Sequence, residues 1–375
     1  MAGIYIHIPF CRQACHYCDF HFSTNYRLQN DFITALLKEI VLQRPYLQGE
    51  TVETIYFGGG TPSLLASSAI REIMNSIFTD FSIGSDPEIT LEANPDDIDP
   101  LHLKEWKDAG INRLSIGVQS FFKEDLLWMN RVHDENQAIL AIEHVKDAGF
   151  DNYSLDLIYG IPGVSEEKWG KNLHKAISFQ SPHISCYALT VEPRTTLFKM
   201  IKTNKTADIE SERQAEQFLT GVRTLEEAGY EHYEISSFAK PGKRSRHNSS
   251  YWQSKKYLGL GPSAHSFNGH SRQWNISNNA HYITSLMGGV LNCQSESLRP
   301  TDLLNEYIMT SLRTLEGLDL QYVANQFGKE KVHVIENKAS APIHSKQMEK
   351  KYQRLVLTKN GKLFADGIAS ALFFE

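Results

Sequence analysis

The chain has 375 residues, of which 41% are hydrophobic and 22% are charged, and its formal net charge is -6 at pH 7. A chain of this length and composition is expected to form about two globular domains, and its negative charge argues against a nucleic-acid binder that works by electrostatics. No apolar run approaches the roughly 18 residues that cross a bilayer, and the N-terminus lacks the pattern of a signal peptide. We therefore predict a cytoplasmic protein, with peripheral association with a membrane left open.

Short β-rich runs alternate with amphipathic helical patterns over the first half of the chain. The predicted strands are residues 3–8, 53–57, 88–92, 113–118, 153–158 and 183–189. Such βα repeats predict a parallel sheet with right-handed crossovers. Because a full eight-stranded barrel takes more chain, we predict an α/β fold built on a partial (β/α)6 TIM-like barrel, whose chemistry lies at the carboxyl ends of the strands.

Three cysteines follow the first predicted strand, at Cys11, Cys15 and Cys18, in the spacing Cys-x3-Cys-x2-Cys. Three thiolates can hold three irons of a four-iron cluster and leave the fourth iron open for a reactive ligand. A zinc site is the alternative, and because structural zinc takes four ligands a histidine would have to complete it. The candidates for that ligand are His7, His16 and His21. A set of thiols without a metal also stays open.

The remaining cysteines, Cys186 and Cys293, are isolated in the sequence. Five cysteines in a chain of this length do not suggest a disulfide framework and are typical of a reducing compartment. We predict that these two thiols are small core hydrophobes.

Polar or flexible residues stand near the carboxyl ends of the next predicted strands. The run Gly58-Gly-Gly-Thr-Pro62 follows the second strand, and its glycines would let a ligand approach the backbone. Glu92, Gln119 and Asp156 lie at the end of the third strand, at the end of the fourth and within the fifth. A tight turn or a helix cap would explain any one of them, but barrel sites are assembled from such positions together.

The second half of the chain carries one further chemical motif, His247-Asn-Ser-Ser-Tyr-Trp252, after a loop rich in basic residues at 240–246. Imidazole is a good axial ligand for heme iron, and Tyr251 and Trp252 offer flat apolar faces to a porphyrin. Composition alone also fits an ordinary loop with half-buried aromatic side chains.

The C-terminal residues predict helices followed by a β-hairpin, with Asn360-Gly361 as its turn and residues 367–374 as its second strand. The predicted domains are 1–200 for the barrel, 201–300 for an extension that carries the His247 motif, and 301–375 for a small C-terminal α+β domain.

Several of these motifs together resemble a known family. The Cys-x3-Cys-x2-Cys spacing followed by Gly-Gly-Gly-Thr-Pro resembles the radical S-adenosylmethionine (SAM) superfamily. The phrase Tyr5-Ile-His-Ile-Pro-Phe-Cys11 resembles its oxygen-independent coproporphyrinogen III oxidase group. Within that group, Cys15-His-Tyr-Cys-Asp-Phe20, Tyr233-Glu-Ile-Ser-Ser-Phe238 and the His247 motif are similar to the heme chaperones of the HemW family.

The resemblance implies three cofactors and the residues that bind them. A 4Fe-4S cluster with one open iron would be held by Cys11, Cys15 and Cys18. SAM would chelate that iron, with its methionine part at Gly59, Gly60, Thr61 and Glu92, its ribose at Gln119 and Asp156, its carboxylate at Arg131, and with Tyr5, Tyr17 and Ala188 lining the site. Heme would be bound by His247, Asn248, Tyr251 and Trp252. Charge and nearness add Arg244 and Arg246 as partners for the heme propionates.

The resemblance leaves a choice of function, because one fold and one cluster serve several activities. We predict a heme chaperone that receives heme from a donor and delivers it to respiratory apoproteins. The alternative is an oxygen-independent coproporphyrinogen III oxidase of porphyrin biosynthesis, and a radical enzyme acting on another substrate is a third. A homodimer and the question of enzymatic activity stay open.

Three features favour the chaperone. Only ten residues precede Cys11, whereas the oxidases of the group extend further. Phe20 stands where those oxidases carry a further cysteine, and they lack the His247 motif.

Overall fold

A computed structural model describes residues 2–375, and its first half alternates strand and helix. The strands are β1 (Ala2–Ile8), β2 (Val52–Gly59), β3 (Ile83–Ala93), β4 (Arg113–Gln119), β5 (Tyr153–Tyr159) and β6 (His183–Ala188). The helices between them are α1 (Gln29–Leu42), α2 (Ser67–Asp80), α3 (Pro100–Asp108), α4 (Lys123–Trp128), α5 (Glu135–Asp147) and α6 (Glu166–Ser178).

The strands β1 to β6 pair with one another in parallel and in chain order. Each of them overlaps a predicted strand, so the prediction of a partial parallel barrel is confirmed. Their central positions are buried on both faces, as in β1, where Ile4 and Ile6 on one face and Gly3 and His7 on the other are buried. This arrangement brings the carboxyl ends of all these strands to the same edge.

The next part of the chain extends this sheet on both sides. Its helices are α7 (Thr196–Lys202), α8 (Ser211–Glu227), α9 (Arg246–Trp252) and α10 (Asn279–Met287). Its strands are β7 (Glu231–Glu234), β8 (Ser237–Ala239), β9 (Lys256–Leu260), β10 (His265–Phe267), β11 (Ser271–Asn275) and β12 (Cys293–Ser297). Within residues 2–375 the result is a sheet of twelve strands in the order β12-β11-β10-β9-β1-β2-β3-β4-β5-β6-β8-β7.

The connection between β8 and β9 crosses from one side of the barrel to the other. β8 is antiparallel to β6, whereas β9 is parallel to β1. Helix α9 lies on this connection and packs against β1 and β2. The His247 motif is therefore part of a segment that joins the two sides of the parallel core.

The C-terminal elements surround a separate apolar cluster, which includes Leu304, Ile308, Leu355 and Ile368. The helices are α11 (Pro300–Leu312), α12 (Leu320–Phe327), α13 (Lys329–His344), α14 (Lys359–Lys362) and α15 (Ala365–Leu372). The strands β13 (Leu318–Asp319), β14 (Met348–Lys351) and β15 (Arg354–Leu357) form an antiparallel sheet in the order β13-β15-β14. The predicted combination of helices and a β-hairpin is confirmed.

The predicted position of the hairpin turn is wrong. The hairpin joins β14 to β15 through Tyr352, and the residues around Asn360-Gly361 form α14 instead. Thr358 caps that helix, because its hydroxyl accepts the Gly361 N–H at 3.0 Å. Residues 367–374, predicted as a strand, lie mostly in α15, where Ile368 and Leu372 are buried at helical spacing.

The isolated cysteines differ in burial. Cys186 is 5% exposed within the main core, as predicted. Cys293 is only half-buried on β12, so the prediction of a core position is wrong for it. Among residues 2–375, no helix combines the length and the apolar character needed to cross a membrane.

Gly361 offers a test of the C-terminal packing. A Cβ at this residue would lie 1.7 Å from the Gln347 carbonyl oxygen, so Gly361→Ala must push two backbone segments apart. We expect a loss of about 2 kcal/mol or more in the free energy of unfolding, measured by urea denaturation.

The matched control is Gly367→Ala on α15, where nothing lies within 4 Å of an added Cβ. It should be neutral or stabilise the protein by about 0.5–1 kcal/mol, because alanine is the better helix former. Equal effects of the two substitutions would contradict this account of Gly361.

Candidate functional site

The thiol loop follows β1, and backbone hydrogen bonds attach its first residues to the glycine-rich turn after β2. The Gly60 N–H donates to the Ile8 carbonyl at 2.8 Å, and the Thr61 N–H donates to the Phe10 carbonyl at 2.7 Å. A Cβ at Gly60 would lie 2.6 Å from the Phe10 oxygen, so this approach requires glycine. The Cys11 N–H donates to the Ser23 carbonyl at 3.1 Å and closes the loop from its other side.

A cavity of about 650 Å³ opens at the carboxyl ends of the strands, beside the thiol loop. The structure brings most of the predicted cluster and SAM residues to its wall. They are Cys11, Cys15, Cys18, Tyr17, Gly59, Gly60, Thr61, Glu92, Gln119, Arg131, Asp156 and Ala188. Of the predicted residues of this site, Tyr5 lies outside the wall, with its ring stacked on Tyr56 at 6.1 Å between centroids.

Burial disfavours ionisation of the cysteine thiols, and two of the sulfurs accept hydrogen bonds from the protein. Burial raises the pKa of Cys11 to about 11 and that of Cys18 to about 12. Thr61 Oγ1 donates to Cys11 Sγ at 3.5 Å, and Arg131 Nη1 donates to Cys15 Sγ at 3.6 Å. A buried thiol ionises readily only when a cation such as an iron centre compensates its charge. These contacts fit a set of cluster ligands.

The histidines considered as a fourth zinc ligand lie outside the cavity wall. His7 Nε2 bonds with the His21 carbonyl at 2.8 Å, and His21 Nε2 bonds with Asn279 Oδ1 at 2.7 Å. His16 Nδ1 bonds with the Trp128 carbonyl at 2.7 Å. These contacts engage the rings of all three histidines away from the cavity.

Arg131 is fixed beside the thiols by short hydrogen bonds. Its Nη2 donates to Asn94 Oδ1 at 2.7 Å and to the Gly117 carbonyl at 2.9 Å. Its Nε is buried and has no hydrogen-bond partner among residues 2–375. A guanidinium that is held in place on the cavity wall is suited to an anionic group such as a carboxylate.

Two carboxylates face the cavity from β3 and β5. Glu92 Oε1 accepts the Tyr56 hydroxyl at 2.8 Å, and Oε2 accepts the Gly59 N–H at 3.2 Å. Burial raises the pKa of Glu92 to about 7, and the nearby charge of Asp156 adds to the shift. A carboxylate in this position gains from a cationic ligand, because a positive charge offsets its lost hydration. The residues therefore fit the amine and sulfonium of SAM.

Asp156 and Gln119 present polar groups on the same side of the cavity. Asp156 accepts hydrogen bonds from Ser115 at 2.8 Å and Ser154 at 2.9 Å, and burial raises its pKa. Gln119 has a φ of 64°, which is unfavourable for a residue with a side chain. Such conformations are often kept where a side chain must point into a binding site.

Sequence reasoning missed several wall residues, among them Asn94 and Tyr187. Asn94 links Arg131 to Thr61, since its Nδ2 donates to Thr61 Oγ1 at 3.3 Å. Its position directly after β3, close to Glu92, was the available signal. Tyr187 gave no such signal, because an aromatic residue near the end of a predicted strand is ordinary core composition.

The mouth of the cavity carries apolar side chains. Phe20 is 69% exposed there, and Val132 and Tyr187 are also exposed. Phe20, for which the resemblance implies a cysteine in the oxidases, thus lies at the entrance to the cavity.

The His247 motif is not a loop but helix α9, capped by Ser245, whose hydroxyl accepts the Asn248 N–H at 3.3 Å. The side chain of His247 is inside the barrel and only 1% of the residue is exposed. Asn248, Tyr251 and Trp252 are half-buried. The imidazole and the SAM cavity are separated by the ring of Tyr56.

The arginines predicted as propionate partners are already paired within the chain. Arg244 contacts Glu231 and Glu316, each at 2.7 Å. Arg246 contacts Glu53 at 3.2 Å and also reaches Asp86.

Comparison with known proteins agrees with these features. The radical SAM superfamily model matches residues 5–176, and the HemN C-terminal domain model matches residues 298–364. The heme chaperone HemW of Bacillus subtilis (strain 168) is 31% identical over 381 residues, which cover 100% of both chains. The HemW of Escherichia coli (strain K12) is 35% identical over 320 residues, covering 84% of this chain and 83% of that one.

A solved structure shares the fold. Coproporphyrinogen III oxidase (HemN) from Escherichia coli, described as a radical SAM enzyme, superposes with a TM-score of 0.85. The match covers 99% of this chain and 90% of that one at 24% sequence identity.

Glu92 gives a pH-dependent test of the site. Its pKa in the folded protein is about 7, above the ordinary 4.5, so between these values the folded protein keeps a proton that the unfolded chain has released. Stability from this group is therefore lost as the pH rises through that window. In the absence of SAM, Glu92→Gln should be more stable than the wild type by about 2 kcal/mol at about pH 8, and by less at about pH 5.

Urea denaturation at both pH values measures this difference. The exposed Glu143 on α5 provides the control, because Glu143→Gln should change stability little and equally at both pH values. The same stability change for Glu92→Gln at both pH values would contradict the raised pKa.

Proposed function

Because this chain belongs to the HemW family of the radical SAM superfamily, within the oxygen-independent coproporphyrinogen III oxidase group, we propose that it is a heme chaperone. It binds heme and delivers it to respiratory apoproteins, and it carries a 4Fe-4S cluster and SAM. The observation that carries this proposal is the similarity over the whole chain to relatives named as heme chaperones.

The residues that line the cavity support the radical SAM part of the proposal. Cys11, Cys15 and Cys18 would hold the cluster, which when bound and reduced would supply the electron for the reductive cleavage of SAM. Arg131 and Thr61 donate hydrogen bonds to the thiol sulfurs. These bonds tune a cluster, because donors to its sulfurs and its net charge set the reduction potential.

The remaining wall residues hold SAM. Glu92 takes the cationic part of the methionine group, and the guanidinium of Arg131, which lines the cavity, takes its carboxylate. Asp156 and Gln119 bind the ribose hydroxyls, while the backbone of Gly59 and Gly60 permits close approach. Tyr17 and Ala188 limit the width of the site.

The heme site belongs to the segment of residues 201–300, with His247 as the iron ligand and Asn248, Tyr251 and Trp252 around it. An imidazole without a proton on its ligating nitrogen is the form that binds iron. Burial lowers the pKa of His247 to about 3, with the positive charge of Arg113 adding to the shift, so the ring is neutral.

The second candidate is an oxygen-independent coproporphyrinogen III oxidase. The intact SAM cavity and the shared fold favour it. Phe20 at the cavity mouth argues against it, because it replaces the further cysteine of the oxidases. A radical enzyme with another substrate would use the same cavity.

The test compares the two functions in one preparation. Protein reconstituted anaerobically is titrated with hemin and followed at the Soret band, and His247→Ala should weaken binding by about tenfold or more. The same preparation with reduced cluster, SAM and coproporphyrinogen III should form no protoporphyrinogen.

His265→Ala serves as the control for the titration, because His265 is exposed on β10 and lies outside the motif. Its Soret band and hemin affinity should match those of the wild type. An unchanged Soret band for His247→Ala removes this residue as the ligand, and turnover to protoporphyrinogen establishes the oxidase instead.

A further inference from the structure

The imidazole of His247 is enclosed by the amino-terminal parts of β1 and β2. Its Nδ1 bonds with Thr54 Oγ1 at 2.8 Å, and its Nε2 bonds with the Tyr251 hydroxyl at 2.9 Å. A Cβ at Gly3 would lie only 3.3 Å from the imidazole Cε1. Both ring nitrogens are therefore occupied, and the neighbouring strand leaves no room for a porphyrin against the ring.

Helix α9 is anchored in this position by Glu88 of β3, which is 3% exposed. Glu88 Oε1 accepts the His247 N–H at 2.8 Å, and Oε2 accepts the Arg246 N–H at 3.0 Å. A carboxylate at the first turn of a helix satisfies donors that have no partner within the helix. These bonds hold the backbone of His247 beside β3, while those to Thr54 and Tyr251 hold its ring, and we infer that ligation of a heme iron requires at least the ring to be released.

The same imidazole packs against Tyr56, a residue of the cavity wall. Its ring stacks on Tyr56, with centroids 4.9 Å apart and an interplanar angle of 24°. The Tyr56 hydroxyl donates to Glu92 at 2.8 Å, and Glu92 faces the cavity. A continuous column, His247–Tyr56–Glu92, therefore connects the heme motif to the cationic end of the SAM site.

Resting on the proposed function, we propose that His247 is a positioning residue for SAM as well as the heme ligand, and that the two roles exclude each other. With His247 inside the barrel, Tyr56 is held flat and Glu92 is oriented toward SAM. When His247 leaves to ligate heme iron, Tyr56 loses its support and SAM binds more weakly.

Thermodynamic linkage requires that heme and SAM weaken each other's binding reciprocally. If heme weakens SAM binding by a given factor, SAM must weaken heme binding by the same factor. The coupling passes through Glu92, because SAM places positive charge beside this carboxylate and favours its ionised form. The ionised carboxylate accepts a stronger hydrogen bond from the Tyr56 hydroxyl. Bound SAM therefore retains His247 in the barrel, and loss of SAM releases it toward heme.

The positioning role is tested by a double-mutant cycle on SAM affinity, measured with the reconstituted protein. His247→Ala and Tyr56→Phe should each weaken SAM binding by about fivefold or more, and the double variant should be little worse than either. His265→Ala combined with Tyr56→Phe is the control pair and should be additive. Additivity of the His247 and Tyr56 substitutions overturns the positioning role.

The variant Thr54→Val distinguishes the proposed release of His247 from a general loss of folding. It removes only the hydroxyl that holds His247 Nδ1 and keeps the shape of the side chain. We expect weaker SAM binding and tighter hemin binding in this one variant. A destabilised protein would lose both affinities, and that result contradicts the proposed release of His247.

The opposition itself is tested on the wild type by titrating SAM with and without one equivalent of hemin, and hemin with and without saturating SAM. Both affinities should fall by the same factor, of about five or more. Independent binding of the two ligands overturns the opposition and leaves the heme chaperone standing. Absence of hemin binding overturns the proposed function and the heme half of this inference, while the double-mutant cycle still decides the positioning role.

Discussion

The arrangement of the site depends on the backbone hydrogen bonds that join the thiol loop to the glycine-rich turn. Gly60 and Thr61 donate to the carbonyls of Ile8 and Phe10, so the ends of β1 and β2 have a fixed separation. Thr61 then reaches Cys11, and the neighbouring Gly59 reaches Glu92. One local constraint therefore relates the position of the thiol loop to the position of the Glu92 carboxylate on the same cavity wall.

Burial of the charged groups of the cavity destabilises the folded protein, but it leaves these groups able to bind a ligand. A carboxylate such as Glu92 and a guanidinium such as Arg131 lose hydration in the barrel and recover it only in part through their neighbours. They keep unused capacity for charge pairing and hydrogen bonding. That capacity is what a ligand carrying both an amine and a carboxylate requires.

The sequence was sufficient for the barrel and for several residues of the cavity wall, because buried parallel strands leave uninterrupted apolar runs and their ends converge by geometry. It was insufficient for α9, whose position depends on Glu88 and Thr54, residues distant in the chain. It also misplaced the hairpin turn, because Asn360-Gly361 suits a turn as well as a short helix, and only the contact with Gln347 decides between them.

The connection that contains α9 has a mechanical consequence. It runs from β8, beside β6, to β9, beside β1, and thus joins the two sides of the six-stranded parallel core. A segment that joins the two sides of a curved sheet limits how far these sides can move apart. Any displacement of α9 would therefore alter the span of the barrel and, with it, the width of the cavity at the opposite end of the strands.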